Sequence, residues 1–403
     1  MTRSPGLQRA GLDRLHDRLA AHVERRDVPG VAALVARGDD VHVEVLGTPA
    51  LDDPAPLRRD AIFRIASLTK PIAAAAAMAL VDDGRIAVQD PVEKYLPELA
   101  GRRVMRRLDA ALDDTVPAQR SITVEDLLTF RLGFGVIMAP PDTYPIQTAE
   151  RALNLATLGP PWPPPPHASD EWIARFATLP LMHQPGEVWM YNTGAQVLGI
   201  LLERATGQPL EAFLRARLLE PLDMVDTAFS VPAEKQSRFT TAYAPDLATG
   251  ELRLIDTPSG GWWSAPQAMA NAAGMLVSTL DDFRAFVAML LAGGVHGGER
   301  VLSAASVSAM MRDHLSVGQR AAATPFLGPH DGWGYGMAVP GPVDGEPPVP
   351  WGYGWDGGSG TTWRSDPARD LTTILLTQRA MTSPEPPPLF VDFWDAAYAA
   401  REG

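Results

Sequence analysis

The sequence predicts a mixed α/β protein of the α+β type, in which both chain ends contribute strands to one antiparallel sheet and a mainly helical lobe is inserted between them. Strand-like segments separated by Gly and Pro cluster near the N-terminus and in the last third of the chain. Apolar residues at helical spacing fill the middle. The strand–helix alternation of a parallel sheet is missing, and so is any internal repeat.

The N-terminal elements are predicted to be a helix, a hairpin and a second helix. Apolar residues at helical spacing predict an amphipathic helix over 7–26. The segments GVAALVAR (30–37) and VHVEVLG (41–47) predict the two strands of a hairpin. The Ala-rich stretch 67–83 predicts a helix, and Gly84 is suited to its C-cap.

The remaining elements follow the same rules. Helices are predicted at 121–130, where Ser121 and Glu125 resemble a capped start, and at 192–207, 278–294 and 388–400. Strands are predicted within 332–341, 352–366 and 370–379. The Pro-rich stretch 139–166 predicts a surface loop, and its part 159–166 is equally consistent with a lid over a site.

These elements predict a single domain over residues 1–403. Its sheet lobe would comprise approximately 1–84 and 255–403, and its helical lobe approximately 85–254.

Composition argues against several classes of function. The net charge of −13 argues against nucleic acid and anionic membranes as partners, and we interpret the basic stretch 101–109 as a solvated helix face. The absence of Cys excludes disulfides and thiol nucleophiles. Since neither the apolar region of a signal peptide nor an apolar run of ~18 residues is found, we expect a cytoplasmic protein; its oligomeric state is left open.

Ser67 and Lys70 have a spacing that suits nucleophilic catalysis. Lys70 is one of only three Lys among 35 basic residues. Residues i and i+3 share one face of a helix, so Lys70 would lie beside the Ser67 hydroxyl. A desolvated Lys amine can become neutral and act as the base that a Ser nucleophile needs, whereas an Arg cannot. The alternative interpretation is a helix cap followed by a surface Lys.

Other catalytic chemistry has less support in the sequence. The eight His lack metal-ligand spacing, and the nucleophile elbow G-x-S-x-G is absent. We therefore expect no cofactor and no metal, and we interpret Ser359 as part of a turn. The remaining candidates are interpreted as core, pocket wall, cap or turn: Trp262, Trp263, Trp333, Tyr335, Asp256 and Asp281.

Further segments accompany the Ser67–Lys70 pair. Tyr191 stands just before a predicted helix in QPGEVWMYNTGAQVLG (184–199), and the Gly-rich strand GYGWDGGSGTTWRSDP (352–367) lets a substrate approach its backbone closely. With FRIASLTKPIAAAAAMAL (63–80) and ITVEDLLTFRLGFG (122–135), these ordered segments resemble the serine beta-lactamase and DD-peptidase superfamily. The resemblance is strongest to its branch of family VIII carboxylesterases and transesterases, and it implies a beta-lactamase-like fold.

The resemblance implies a role for each matched residue. Ser67 would be the acyl-accepting nucleophile, Lys70 its activating partner, and Tyr191 the group that relays a proton to the leaving group and later activates water. The backbone N–H groups of Ser67 and Gly358 would form the oxyanion hole. The residues implied to contact the substrate are Trp355, Asp356, Gly357 and Thr193.

Three departures from the family pattern bear on the substrate. Thr193 stands where the family has an Asn that grips a lactam or peptide. Trp355 and Asp356 stand where lactamases and peptidases carry a Lys, and an Asp there would repel a substrate carboxylate. FRLG (130–133) stands where the family often has His-Thr-Ser-Gly, which predicts a change of packing.

These observations predict a serine hydrolase that cleaves small-molecule carboxylic esters through an acyl-enzyme on Ser67. Two alternatives keep the fold and change the reaction: an acyltransferase (transesterase), or a beta-lactamase or other amide hydrolase. A third alternative is a relative that binds a ligand without catalysis, and the presence of Ser67, Lys70 and Tyr191 argues against it.

Overall fold

The computed structural model describes residues 6–155, 164–328, 331–341 and 352–401. In these ranges the helices are α1 (Arg9–Glu24), α2 (Thr69–Asp82), α3 (Val124–Leu128), α4 (Pro145–Ala152), α5 (Ser169–Ala177), α6 (Thr193–Thr206), α7 (Leu210–Leu214), α8 (Leu280–Leu291), α9 (Ala304–Met310), α10 (Val317–Leu327) and α11 (Pro388–Ala399). None of the described helices combines the length and apolar character needed to cross a bilayer.

The strands in the same ranges are β1 (Gly30–Arg37), β2 (Asp40–Gly47), β3 (Phe63–Arg64), β4 (Arg103–Met105), β5 (Thr115–Pro117), β6 (Ala242–Pro245), β7 (Leu252–Asp256), β8 (Val277–Ser278), β9 (Val295–His296), β10 (Glu299–Arg300), β11 (Asp331–Trp333), β12 (Ala338–Pro340), β13 (Tyr353–Gly357), β14 (Thr361–Asp366) and β15 (Leu371–Thr377).

The main sheet is built from both ends of the chain, as predicted. Its strand order is β11-β12-β13-β14-β15-β1-β2, with antiparallel pairing between neighbours. The first and last strands in sequence are neighbours inside the sheet, where Val31 of β1 lies opposite Thr377 of β15. The fold is therefore the beta-lactamase-like α+β arrangement that the resemblance implies.

Strand β1 lies between two cores, because successive side chains point to opposite faces of a strand. Ala32 and Leu34 face the main core, which the sheet shares with the helical part of the molecule. Val31, Ala33 and Val35 face a smaller core beneath α1 and α11. The sheet is consequently covered on both faces.

Helix α2 runs through the main core. Its residues from Thr69 to Leu80 are all buried, which fits a helix that is apolar on every side. Small Ala side chains allow the surrounding elements to approach it closely. The structure thus buries Lys70 in the first turn of α2, directly after the short turn that carries Ser67.

Several local predictions are wrong. The stretch 101–109 is not a solvated helix face, because it contains strand β4 and the buried Arg102. Helix α3 is capped by Thr123 and Asp126, not by the predicted pair Ser121 and Glu125: the Thr123 hydroxyl accepts from the Asp126 N–H, and the Asp126 carboxylate accepts from the Thr123 N–H.

Other predictions concern loops and single side chains. The Pro-rich stretch contains helix α4, and residues 159–163 of the predicted lid lie outside the described residues. Asp256 ends β7 and does more than the predicted cap or turn residue: it forms a buried ion pair with Arg64, and its carboxylate also accepts from the Trp262 N–H at the start of a 3-10 turn. Trp263, Trp333 and Tyr335 are buried in the core.

Candidate active site

Ser67 lies at the junction between a strand and the buried helix. Strand β3 leads into a single 3-10 turn, Ala66–Leu68, and α2 begins at Thr69. Ala66 adopts φ 43°, a left-handed conformation that is uncommon for a residue with a side chain. This sharp turn sets the Ser67 side chain at the wall of a cavity of about 270 Å³.

Lys70 is buried beside Ser67. Its Nζ lies 2.8 Å from Ser67 Oγ and donates a second hydrogen bond to the carbonyl of Ala273. The Lys70 side chain is only 1% exposed, and no carboxylate within the described residues pairs with it. Burial therefore holds the pKa of the Lys70 amine well below its ordinary value of 10.5, which favours the neutral form.

Tyr191 also hydrogen-bonds the same serine. Its hydroxyl donates to Ser67 Oγ at 2.7 Å, and its ring lies 4.5 Å from Lys70 Nζ. Phe326 stacks on the Tyr191 ring, and Phe130 packs against it edge-on. Burial is the main reason that the pKa of the Tyr191 hydroxyl is raised above 10.0, so the phenol stays protonated.

Trp355 completes a directed chain of hydrogen bonds. Its indole Nε1 donates to the Tyr191 hydroxyl at 3.0 Å, and that hydroxyl in turn donates to Ser67. Trp355 is placed by strand β13, which pairs with β14 on one side and β12 on the other. The Trp355 indole thus places a neutral hydrogen-bond donor at the position where lactamases and peptidases are expected to carry the cation of a Lys.

Asp356 does not act as the free negative charge that the sequence suggests. Arg364 on β14 makes a two-point ion pair with it, with both N–O distances at 2.8 Å. Thr362 donates a further hydrogen bond to the same carboxylate. The expected repulsion of a substrate carboxylate by Asp356 is therefore largely offset, and the relevant observation is that the described lining of the cavity offers no unpaired cation.

The cavity beside Ser67 is mainly apolar. Ser67, Tyr191, Trp355, Asp356 and Gly358 all line it. The rest of its described wall consists of Val136, Met138, Phe326, Met381, Thr382, Ser383 and Pro384. Such a wall suits an uncharged group next to Ser67.

Gly357 and Thr193 occupy different positions from the other predicted residues. Gly357 ends β13 and packs directly on the backbone of Ile65, where an added side chain would overlap the Ile65 carbonyl. Thr193 begins α6 and lines a neighbouring cavity, not the one that contains Ser67. Its contact with substrate stays a prediction.

Ser359 is structural, in agreement with its interpretation as part of a turn. It is 5% exposed, and its hydroxyl donates to the carbonyl of Arg64. Thr361 donates to the next carbonyl, that of Ile65, at 3.1 Å. Both bonds fasten the β13–β14 hairpin to the segment that precedes Ser67.

The geometry and the fold agree with a comparison of the whole sequence. The family model described as Beta-lactamase matches residues 15–390. The chain belongs to the beta-lactamase family.

Curated relatives of this family member include esterases. It is 31% identical to Esterase EstB of Burkholderia gladioli, over 97% of this chain and 95% of that protein. It is 38% identical to Protein Rv1367c of Mycobacterium tuberculosis (strain ATCC 25618 / H37Rv), over 84% of this chain and 82% of that protein.

Solved structures share the fold. EstCE1, described as "a hydrolase with promiscuous acyltransferase activity", superposes with a TM-score of 0.77 at 22% identity, covering 96% of this chain and 98% of that chain. Unliganded simvastatin synthase (LovD) from Aspergillus terreus gives a TM-score of 0.76 at 21% identity, covering 98% and 99%.

Sequence reasoning missed two partners in this beta-lactamase-family site. The Ala273 carbonyl, which accepts from Lys70, is positioned by Asn271, whose side chain accepts from the Ala273 N–H at 2.8 Å. Arg364 is a diagonal neighbour of Asp356 across the hairpin, since Asp356 lies opposite Thr362. That register was the signal that could have identified it.

A metal has no evident place in the site. In the described ranges, no group of three or more His, Asp or Glu side chains is arranged to hold a metal ion. The chemistry available is that of Ser67, Lys70 and Tyr191.

Proposed function

We propose that this protein is a serine hydrolase that cleaves small-molecule carboxylic esters through an acyl-enzyme on Ser67. The observation that carries the proposal is the buried Lys70 amine, which lies 2.8 Å from Ser67 Oγ with no carboxylate partner among the described residues. Burial lowers the pKa of this amine well below 10.5 and favours its neutral form, which can accept the hydroxyl proton of Ser67.

Acylation begins when Ser67 Oγ attacks the ester carbonyl carbon. The Ser67 proton passes to Lys70, and the carbonyl oxygen becomes an oxyanion. The backbone N–H groups of Ser67 and Gly358, which line the same cavity, are the proposed donors to it. Losing one such donor typically costs about 3–4 kcal/mol of barrier.

Tyr191 handles the proton of the leaving alcohol. Because its pKa is raised by burial, the phenol holds its proton until the C–O bond breaks and then gives it to the departing alkoxide. The ammonium formed at Lys70 then restores the Tyr191 proton. In the second half of the reaction, water loses a proton to this pair and attacks the acyl group, and Ser67 regains its proton.

An uncharged ester is the substrate class that the site supports best. The acyl cavity is mainly apolar, and its described lining has no unpaired cation for a substrate carboxylate. Two relatives are named as esterases, which supports ester cleavage: EstB, and the lovastatin esterase of Penicillium rubens, to which this chain is 27% identical. An alcohol in place of water would turn the same acyl-enzyme into an acyltransferase.

The test is hydrolysis of p-nitrophenyl butyrate by the wild-type protein and by Ser67→Ala, each checked for folding by circular dichroism. We expect Ser67→Ala to lose at least about a thousandfold in kcat, because the groups act as a unit. Equal activity in the two proteins would eliminate Ser67 as the nucleophile. Products formed with added methanol distinguish hydrolysis from acyl transfer.

Lys70→Arg is the matched variant, since it keeps a cation but removes the neutral amine. We expect it to be as inactive as Ser67→Ala. In the wild type, kcat/KM should rise with pH as Lys70 loses its proton, with a midpoint well below 10.5, and fall as pH drops through that midpoint. Full activity in Lys70→Arg would contradict the role of Lys70 as a base.

A further inference from the structure

A second cavity of about 280 Å³ adjoins the catalytic one. Val136 lines both cavities. Tyr191 lines the first, and the next two residues in the chain, Asn192 and Thr193, line the second. A substrate held at Ser67 therefore has a second enclosed space within reach on the far side of Val136.

Helix α4 supplies polar side chains to this second cavity. Gln147, Glu150 and Arg151 lie on one face of the helix, as their i, i+3 and i+4 spacing requires. Arg151 is paired with Asp142, which also accepts a hydrogen bond from Thr148 at 2.8 Å. The charges of that pair offset each other.

Glu150 is the unbalanced charge in the cavity. Its half-buried carboxyl has neither an ion pair nor a side-chain hydrogen bond within the described part of the chain. Burial raises the pKa of the Glu150 carboxyl to about 7, and burial is the sole cause of that shift. A partly desolvated carboxylate without a partner gains most from a cation placed beside it.

The rest of the wall restricts the kind of cation. Apolar groups of Val136, Ile137, Ala139 and Pro141 line the same cavity. They suit the methyl groups of a tertiary or quaternary ammonium better than a small hydrated ion.

We propose that the second cavity is a subsite for an ammonium group carried by the substrate, with Glu150 as its counter-ion. The proposal rests on the esterase function proposed above and narrows its substrates to esters with a cation remote from the scissile bond. The cation can belong to either the acyl or the alcohol part, because both extend from the carbonyl carbon at Ser67.

The experiment compares isosteric esters that differ only in charge. On the acyl side, p-nitrophenyl 4-(trimethylammonio)butyrate is compared with p-nitrophenyl 5,5-dimethylhexanoate. On the alcohol side, butyrylcholine is compared with 3,3-dimethylbutyl butyrate. Both esters of a pair use the same catalytic groups, so the ionisation state of Lys70 affects both kcat/KM values equally. Its effect therefore drops out of the ratio of kcat/KM measured within each pair at pH 8.

We expect the cationic ester of at least one pair to be preferred about tenfold, as a counter-ion in a partly desolvated site predicts. Glu150→Gln should bring the ratio close to one, and Glu150→Asp should retain part of the preference. The matched control Glu234→Gln, which removes an exposed carboxylate elsewhere, should leave the ratio unchanged. The preference should also fade as pH falls below the Glu150 pKa of about 7.

Two results would overturn the subsite: no preference in either pair, or a preference that Glu150→Gln leaves intact. Calorimetric binding of the same four esters to Ser67→Ala gives the comparison without turnover. If wild type hydrolyses neither these esters nor p-nitrophenyl butyrate, the esterase proposal fails, while the binding ratios of cationic and neutral esters still decide the role of Glu150.

Discussion

At the scale of single residues, the chemistry available to the site depends on which side chains are protonated. Lys70 is favoured as the neutral amine and Tyr191 as the protonated phenol, and burial is the leading cause for both. Trp355 adds a neutral donor that orients the Tyr191 hydroxyl toward Ser67. A cation in that position would instead draw the phenol toward its ionised form.

Trp355→Phe tests this orienting role. An aromatic but smaller ring is kept and the N–H is lost, so we expect kcat to fall by roughly ten- to a hundredfold, in line with the loss of one hydrogen bond to a reacting group. Steady-state and burst kinetics with p-nitrophenyl butyrate measure the effect.

Trp363→Phe is the control for this change. Trp363 lies opposite Trp355 across the hairpin and donates to Ser365 at 2.9 Å, away from the Ser67 cavity. Trp363→Phe should lower the free energy of unfolding and leave kcat unchanged. Equal losses of kcat in both variants would mean that Trp355 acts only through packing.

At the scale of elements, the site requires strand β13 to lie against the segment before Ser67. Gly357 makes that approach possible, because any side chain there would overlap the Ile65 carbonyl and the Thr361 hydroxyl. Gly358, the proposed oxyanion donor, follows it directly in the chain. The absence of a side chain at Gly357 thus sets the distance between the backbone of β13 and that of Ile65.

Gly357→Ala should push β13 away from Ile65. We expect at least about a hundredfold lower kcat/KM, since small displacements at a reacting centre cost that much. Gly318→Ala is the matched control, because an added methyl on α10 meets open space there. Activity assays measure kcat/KM of both variants, and thermal melts measure their stability. If Gly357→Ala had the kcat/KM of the wild type, the distance between β13 and Ile65 would not matter for activity.

How the strands and helices pair also explains which residues of the site could be predicted from the sequence. Ser67 and Lys70 follow from helical spacing, whereas Tyr191 was identified only through the family resemblance. Arg364 was missed because its pairing with Asp356 depends on the register of β13 against β14. The stretch 101–109 was misassigned because its four Arg suggested a solvated face, and Arg102 instead donates to two backbone carbonyls.

At the scale of the whole molecule, a second core joins the two ends of the chain. Helices α1 and α11 pack together on the sheet face opposite the main core. His22 of α1 lies between two carboxylates, with Nδ1 2.8 Å from Asp27 and Nε2 2.9 Å from Asp392 on α11. The sequence predicted both helices but not this pairing, because an apolar helix face does not specify its partner.

His22→Ala should lower the free energy of unfolding by about 1–3 kcal/mol, because two partly buried hydrogen bonds of a buried ring are lost. His16→Ala on the same helix should change it by less than about 0.5 kcal/mol, since His16 is half exposed. Urea unfolding measures both variants, and kcat should stay unchanged because α1 lies away from the Ser67 cavity. Equal stability of the two variants would show that the His22 contacts contribute nothing.

The contact between the segment before Ser67 and the β13–β14 hairpin has a consequence for the chain during synthesis. The carbonyl of Arg64 accepts a hydrogen bond from the hydroxyl of Ser359, 295 residues later. Ribosomes add roughly 5–20 residues per second, so Ser67 exists for roughly 15–60 s before the hairpin that completes its cavity has been translated. A nascent chain therefore carries Ser67 without an assembled pocket, and the cavity is completed only once nearly the entire polypeptide has been translated.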